Sequence, residues 1–420
     1  MVSIWGALVA LAIAIFLIIK KVHPAYALVL GSVVGGLVGG LSLVQTVSLM
    51  ISGTQGMIPA ILRILMAGVL AGVLIESGAA ARIATTIVRA LGQSRAIICL
   101  VLAAAALTAV GVFIDIAVIT IAPIALMVAK QANISKTGIL VAMIGGGKSG
   151  NVISPNPQSI AAADTFEVPL TSIMAAGIIP AIFGIVFSIV IATFLSKKGA
   201  QLLPNDVSEQ EEKAMPPLWA SLVAPVVAIG LLALRPTFNI IIDPLVALPV
   251  GGVMGALSMG KIKHINKYCA TGIARMSFVA IFMIGTGTLA GIIANSELRD
   301  VFTNFLAMTG APAFLLAPLA GIVMSAATAS TTSGTIVGSA VFGETLLAAG
   351  IAPVSAGAMI LSGATVLDHL PHGSFFHATG GSVNMDIKDR LKVIPYESAV
   401  GLVLTFVSTM IFGVFGFVIG

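Results

Sequence analysis

GGGKSGNVISPNPQS, residues 145–159, is the stretch on which the fold turns. It lies inside an apolar run, 137–162, yet carries a lysine, two asparagines and two prolines. A proline within a span removes a backbone hydrogen bond and forces unwinding, and irregular backbone at membrane depth persists only where protein or a wet cavity satisfies it. Gly145, Gly146, Pro155 and Pro157 are therefore expected to break a membrane helix, with Ser149, Asn151, Ser154, Asn156 and Ser159 around the break. A second run, 354–378, is interrupted in the same way: DHLPHGSFFH (368–377) sets Pro371 among Asp368, His369, His372 and Ser374. Amides exposed just after Pro155 and Pro371 suit a carboxylate.

Outward from these stretches the chain is apolar almost throughout. Of 420 residues, 58% are hydrophobic and 9% charged, with a mean hydropathy of +1.12, more apolar surface than a water-soluble fold buries. Runs long enough to cross a bilayer occupy 3–19, 24–41, 58–75, 170–195, 218–234, 240–257, 273–294 and 399–419. Two further runs, 96–127 and 313–348, have interrupted centres. The first holds VGVFIDIAVIT (110–120), with Asp115 as its one charge; the second holds SAATASTTSGT (325–335), crowded with Ser330, Thr331, Thr332, Ser333 and Thr335. The N-terminus lacks a basic n-region, so 3–19 reads as a retained first span. Cys99 and Cys269, without metal or disulfide spacing, read as packing residues.

The polar segment 196–217 separates two halves that repeat. At a spacing of 216, VGGLVGGLS (34–42) faces VGGVMGALS (250–258) and GKSGNVISP (147–155) faces GATVLDHLP (363–371), which sets Asp115 opposite Thr331. At a spacing of 219, VLAGVLIES (69–77) faces TLAGIIANS (288–296). Matches in order that bracket the same interruptions indicate duplication. Five crossings and one re-entrant hairpin per half, with both termini outside, put most Lys and Arg, including Lys20, Lys21, Lys197, Lys198 and Arg275, on the cytoplasmic side. Arg235 and Arg299 fall outside, and Arg63 and Lys148 within the membrane. The expected fold is thus all-α and integral to the membrane: an inverted repeat over 1–195 and 218–420, a cytoplasmic linker at 196–217, and broken helices at the midplane. That pattern is a signature of secondary transporters.

Four polar clusters are then expected to converge on one binding site. Asp115 either caps a turn or acts in coupling, since an intramembrane carboxylate is costly to keep. Asp368, His369 and His372 read as proton-handling groups or as a hydrogen-bond network, and no further ligand spacing suggests a metal. AMIGGGKS (142–149) lacks the first glycine of a phosphate-binding loop and the βαβ unit around it, so no nucleotide or other cofactor is expected. Lys148 reads as an anion-attracting charge or a snorkelling residue at the cytoplasmic mouth. Arg63 reads as a carboxylate clamp or as the ion-pair partner of a residue such as Glu76. The GGLVGG run and its partner GGVMGA suit close helix packing. The basic residues fall in gaps between spans, which speaks for topology rather than nucleic acid. With no Ser/His dyad, paired-Asp lipid-phosphate motif or HExxH, an intramembrane enzyme is not expected, and a channel would lack coupling to substrate.

GGGKSGNVISPNPQSIAAAD followed by FEVPLTSIMAAGIIPA resembles the first broken-helix region of the gluconate permease family, the gluconate:proton symporters and their relatives. A wider superfamily includes the divalent-anion:sodium symporters, with Ser-Asn-Thr hairpin tips and Ser-Pro-Pro-like turns. The resemblance implies two hairpins per protomer, a homodimer held by a scaffold domain, and an elevator-like movement of the hairpin-bearing domain. Ser154, Pro155, Asn156, Pro157 and Ser159 match the first broken turn, Asp368 to Ser374 the second, and Ser330 to Thr335 the Ser/Thr-rich tip. FIDIA at 113–117 replaces a Ser-Asn-Thr tip, which argues against sodium there and for Asp115 as a proton carrier. The expectation is proton-coupled import of a small hydroxy-carboxylate, such as gluconate or a related sugar acid, across a bacterial inner membrane. Ser149, Asn151, Ser154, Asn156, Ser159, Ser330, Thr331, Thr332, Ser333, Thr335, His372 and Ser374 are the expected substrate contacts; Asp115, Asp368, His369 and His372 are the expected proton carriers. A sodium-coupled carboxylate carrier or an ion antiporter is the alternative.

Overall fold

The computed structural model describes residues 1–91, 95–203, 206, 215–297 and 312–419. Residues 204–205 and 207–214 of the linker, and Arg299, lie outside that set. The first half contains α1 (Ile4–Ile19), α2 (Pro24–Val38), α3 (Leu43–Gly56), α4 (Ile58–Glu76), α5 (Ala79–Leu91), α6 (Ala96–Ala109), α7 (Ile114–Ala132), α8 (Lys136–Asn151), α9 (Pro157–Thr165), α10 (Leu170–Ala176) and α11 (Ile178–Leu195). The second contains α12 (Leu218–Phe238), α13 (Pro244–Ser258), α14 (Ile265–Ala294), α15 (Leu316–Thr328), α16 (Thr331–Ala348), α17 (Pro353–Gly363), α18 (Ser374–Ser382), α19 (Ile387–Leu391) and α20 (Ile394–Thr409).

Local sequence explains many helix starts. Ser3, Ser135 and Ser330 each accept from a backbone N–H two or three residues into their helices, and Ser42 with Gln45 forms a capping box on α3. Prolines open α2, α9, α13 and α17, where a missing N–H costs nothing. On α11, Ile182, Phe183, Val186, Val190 and Phe194 are exposed, while Ala181, Gly184, Ser188 and Ala192 point inward. Large apolar groups outside and small or polar ones inside invert the water-soluble pattern. Among the described residues, six helices are long and apolar enough to cross a bilayer. Cys99 is buried and Cys269 half-buried, as packing residues are.

α14 lies along both α3 and α4. Its Gly272 meets Gly68 and Gly72, and its Gly291 meets Leu49 and Gly53, so it runs opposite to that pair. A Cβ on Gly272 would sit 1.9 Å from the Gly68 carbonyl oxygen, so the helices touch backbone to backbone as small residues permit. Gly272→Val should therefore part these helices and cost about 3 kcal/mol or more. Its melting temperature in detergent should fall well below that of Gly230→Val, whose Cβ meets open space; equal melting would show that the contact is not tight.

Several expectations need correction. Gly145 and Gly146 do not break a helix: both lie inside α8, where a Cβ would collide with Ser188 and with the Val101 carbonyl, so they are close-packing positions. The backbone leaves the helix at 152–156 instead. The run 170–195 is not one helix but α10 and α11, divided at Gly177, whose missing side chain admits the Val152 carbonyl. The polar stretch 43–56, assigned to no span, is helical because α14 packs along it. The GGLVGG expectation matches the contacts: Gly35 packs on Ala10, and Gly255 on Ala224.

Helices α6 and α7 form a hairpin with its tip at 110–113, and α15 and α16 form another with its tip at 329–330. The connections 152–156 and 364–373 interrupt the runs α8–α9 and α17–α18.

Candidate functional site

These four non-helical junctions meet. At the first tip, Gly111 at φ +103° turns the chain and α7 begins. Asp115 lies in its first turn and accepts the Ile116 N–H at 2.9 Å, a position favoured by the free amides of a helix start. At the second tip, Ala329 takes a left-handed φ of +47°, uncommon for a residue with a Cβ, and Ser330 caps α16 by accepting the Ser333 N–H at 3.2 Å. This turn aims Thr331 and Thr332 at the two helix breaks.

In the first break, the Asn151 Oδ1 accepts from Asn156 Nδ2 at 2.9 Å and from Gln158 Nε2 at 2.7 Å. Asn156 also reaches the Val112 carbonyl in the first tip at 3.5 Å, and the Gln158 Oε1 accepts from Thr332 in the second tip at 3.2 Å. In the second break, Asp368 accepts from Lys148 Nζ at 2.6 Å and from the Thr331 hydroxyl. Lys148 also donates to the Thr365 carbonyl and lies 3.0 Å from His369 Nδ1. His369 Nδ1 also lies 2.9 Å from Asp368 Oδ1, and its Nε2 lies 3.1 Å from both the Ile394 carbonyl and the Ser398 hydroxyl. Glu397 lies 3.8 Å from the far side of His369 and makes a two-point pair with Arg390. All of these charged groups are buried and paired, as buried charges must be.

A cavity of about 280 Å³ lies where the junctions meet. Asp115, Asn151, Ser330, Thr331, Thr332, Ser333, Asp368 and Ser374 line it, as the sequence led us to expect, together with Gln158, Phe113, Phe278, Phe375 and Arg275. Other expected contacts lie elsewhere. Ser149 donates to the Gly145 carbonyl and faces Gly184 of α11. Ser154 donates to the Asn151 carbonyl, closing the break on itself. His372 donates to the Ala327 carbonyl at 3.2 Å. Asn156 and His369 are buried behind the wall, and the buried hydroxyls of Ser159 and Thr335 have no hydrogen-bond partner among the described residues.

Two charged residues need reassignment. Lys148 is neither snorkelling nor offered to a passing anion: it is 1% exposed and committed to Asp368. Arg63 pairs not with Glu76 but with Asp164 on α9 and, at 2.8 Å, with Asp243 before α13, whereas Glu76 pairs with Lys267. Gln158 and Arg275 went unnoticed in the sequence. Gln158 follows two noticed prolines, so proximity was a usable signal; Arg275 read as one more cytoplasmic cation. Among the described cavity-lining residues, Arg275 is the one cation, and its charge acts on Asp115 across the cavity.

A profile described as GntP family permease matches residues 2–415. The chain is 60% identical to an uncharacterized transporter of Haemophilus influenzae, over 99% of each chain. It is 24% identical to the D-serine transporter DsdX of Escherichia coli over 77% of this chain and 79% of that one. It is also 24% identical to a gluconate permease of Pseudomonas aeruginosa, over 76% and 77%. The crystal structure of the Alcanivorax borkumensis YdaH transporter superposes with a TM-score of 0.69 over 88% of each chain at 16% identity, a likeness of fold.

Proposed function

The chain belongs to the GntP permease family, and from that premise we propose that it imports a small hydroxy-carboxylate, such as gluconate or a related sugar acid, together with protons. It is a multi-pass membrane protein and a transporter rather than an enzyme. The observation that carries the finer reading is the convergence of two hairpin tips and two helix breaks on one hydroxyl-lined cavity. At about 280 Å³ it falls at the small end of ligand pockets, which start near roughly 300 Å³. Ser330, Thr332, Ser333 and Asn151 offer hydroxyl and amide partners for a polyol chain, and Arg275 offers the carboxylate a cation.

Asp115 gives coupling its logic. An anion entering beside a charged carboxylate is repelled, and a proton on Asp115 removes that repulsion. Substrate and proton then enter together. Asp368, in contact with both Lys148 and His369, is the second candidate group on the path.

We read the halves as inverted copies, five crossings and a re-entrant hairpin each. In support, Asn156 bonds the Val112 carbonyl in the first half, and His372, 216 residues on, bonds the Ala327 carbonyl in the second. Likewise Ser135 at the start of α8 bonds Ser196 after α11, and Ser355 at the start of α17 reaches Phe417 beyond α20. Hairpins and broken helices form the moving body; α1–α4 and α12–α14 form the scaffold and the homodimer contact. Arg63, joining Asp164 on the moving body to Asp243 on the scaffold, is then a latch that each elevator stroke must break. The bacterial inner membrane, with both termini outside, completes the reading.

Arg275→Gln should raise the half-saturating substrate concentration about tenfold or more, the loss of a charge-assisted hydrogen bond worth about 1.5–3 kcal/mol. The maximal rate should change less, and Arg275→Lys should recover part of the affinity. Uptake into proteoliposomes checks this; unchanged saturation removes Arg275 from the site. A panel of sugar acids, hydroxy acids and D-serine, read as thermal stabilisation, tests the substrate class. Sodium coupling stays as a second reading because the buried Ser159 and Thr335 hydroxyls lack partners, as oxygen ligands awaiting a cation would. Uptake driven by a sodium gradient but not by a pH gradient would select it.

A further inference from the structure

We propose that a cavity at the foot of the first hairpin holds an anionic phospholipid. Its volume is about 610 Å³, and it lies among the start of α6, the end of α7 and the end of α11. Its lining mixes two chemistries: Arg95, Lys197 and Thr193 on one hand, Ile97, Ile134 and Ile189 on the other. Lys197 also donates to the Asn133 carbonyl and Thr193 to the Ile189 carbonyl. No acidic residue is among its described walls. Ile189 and Thr193, from α11, line the cavity, and Val186, Val190 and Phe194 of the same helix are exposed. Lys198, at the same helix end, lies over the Phe194 ring, 3.3 Å from its centroid.

Two cations and several isoleucines lining one cavity match a phosphate headgroup with the start of its acyl chains, and basic pockets between membrane helices bind such headgroups. A soluble anion uses the cations and leaves the apolar walls wet, so a lipid satisfies more of the cavity. The site is separate from the one at the tips. A lipid seated here bridges the base of the hairpin to the end of α11.

The test is native mass spectrometry of the purified full chain, titrated with phosphatidylglycerol or with phosphatidylcholine of the same acyl length. Phosphatidylglycerol adducts should appear at about tenfold lower lipid concentration, because each basic group near the headgroup favours the anion. Arg95→Gln with Lys197→Gln should abolish that preference. Thr193→Trp, which keeps both charges and fills the cavity, should abolish it as well and guards against a folding defect in the first variant. A preference that survives Thr193→Trp overturns the proposal. So does displacement of the lipid by inorganic phosphate alone, which would mark a soluble-anion site.

Discussion

Lys148→Met should leave little folded protein. The ammonium is fully buried and donates to Asp368 and to the Thr365 carbonyl, tying α8 to the second break. Without it, Asp368 keeps the Thr331 hydroxyl and its contact with His369 Nδ1 but loses the lysine charge. Removing one partner of a buried ion pair costs about 3–5 kcal/mol, a large share of a domain's stability of about 5–15 kcal/mol. Replacing both partners, Lys148→Met with Asp368→Asn, should restore most of the lost melting temperature, because no bare charge is left behind. Recovery in the double variant and collapse in the single one would assign Lys148 to the framework. Wild-type melting of the single variant would refute that assignment.

Asp115→Asn should separate binding from energy coupling. Its side chain lines the cavity together with Arg275, whose charge acts on it. Asparagine resembles a permanently protonated aspartate in size and polarity, so substrate still fits and exchanges. Accumulation against a gradient should fall to near equilibration, while counterflow of labelled substrate should stay within about threefold of wild type. A change of pH should then no longer alter the counterflow rate. If Asp115→Asn still concentrates substrate on a pH gradient, the proton travels by another group, and Asp368 becomes the candidate.

Both predictions rest on features of unequal visibility in the sequence. Prolines and polar residues within apolar runs exposed the helix breaks, because backbone chemistry punishes Pro155, Pro157 and Pro371 in any continuous helix. The hairpin tips were visible for the same reason, Asp115 and the Ser/Thr cluster being too polar for lipid. Long-range partners were not visible. Lys148 finds Asp368 across 220 positions, and Arg63 finds Asp164 and Asp243 rather than the nearer Glu76; a single chain carries no local signal for such pairs. Gly145 and Gly146 misled because glycine serves both breaks and close packing, and only the neighbouring Val101 and Ser188 decide between them. Arg275 was hidden by its company, a basic residue near several others at a helix start.

Cryo-electron microscopy of the protein with a bound sugar acid tests the central claim most directly. Ligand density should lie between the two tips, its carboxylate against Arg275 and its hydroxyls within hydrogen-bond reach of Thr332 and Asn151. Density bound elsewhere, or tips lying apart and facing lipid, would contradict it.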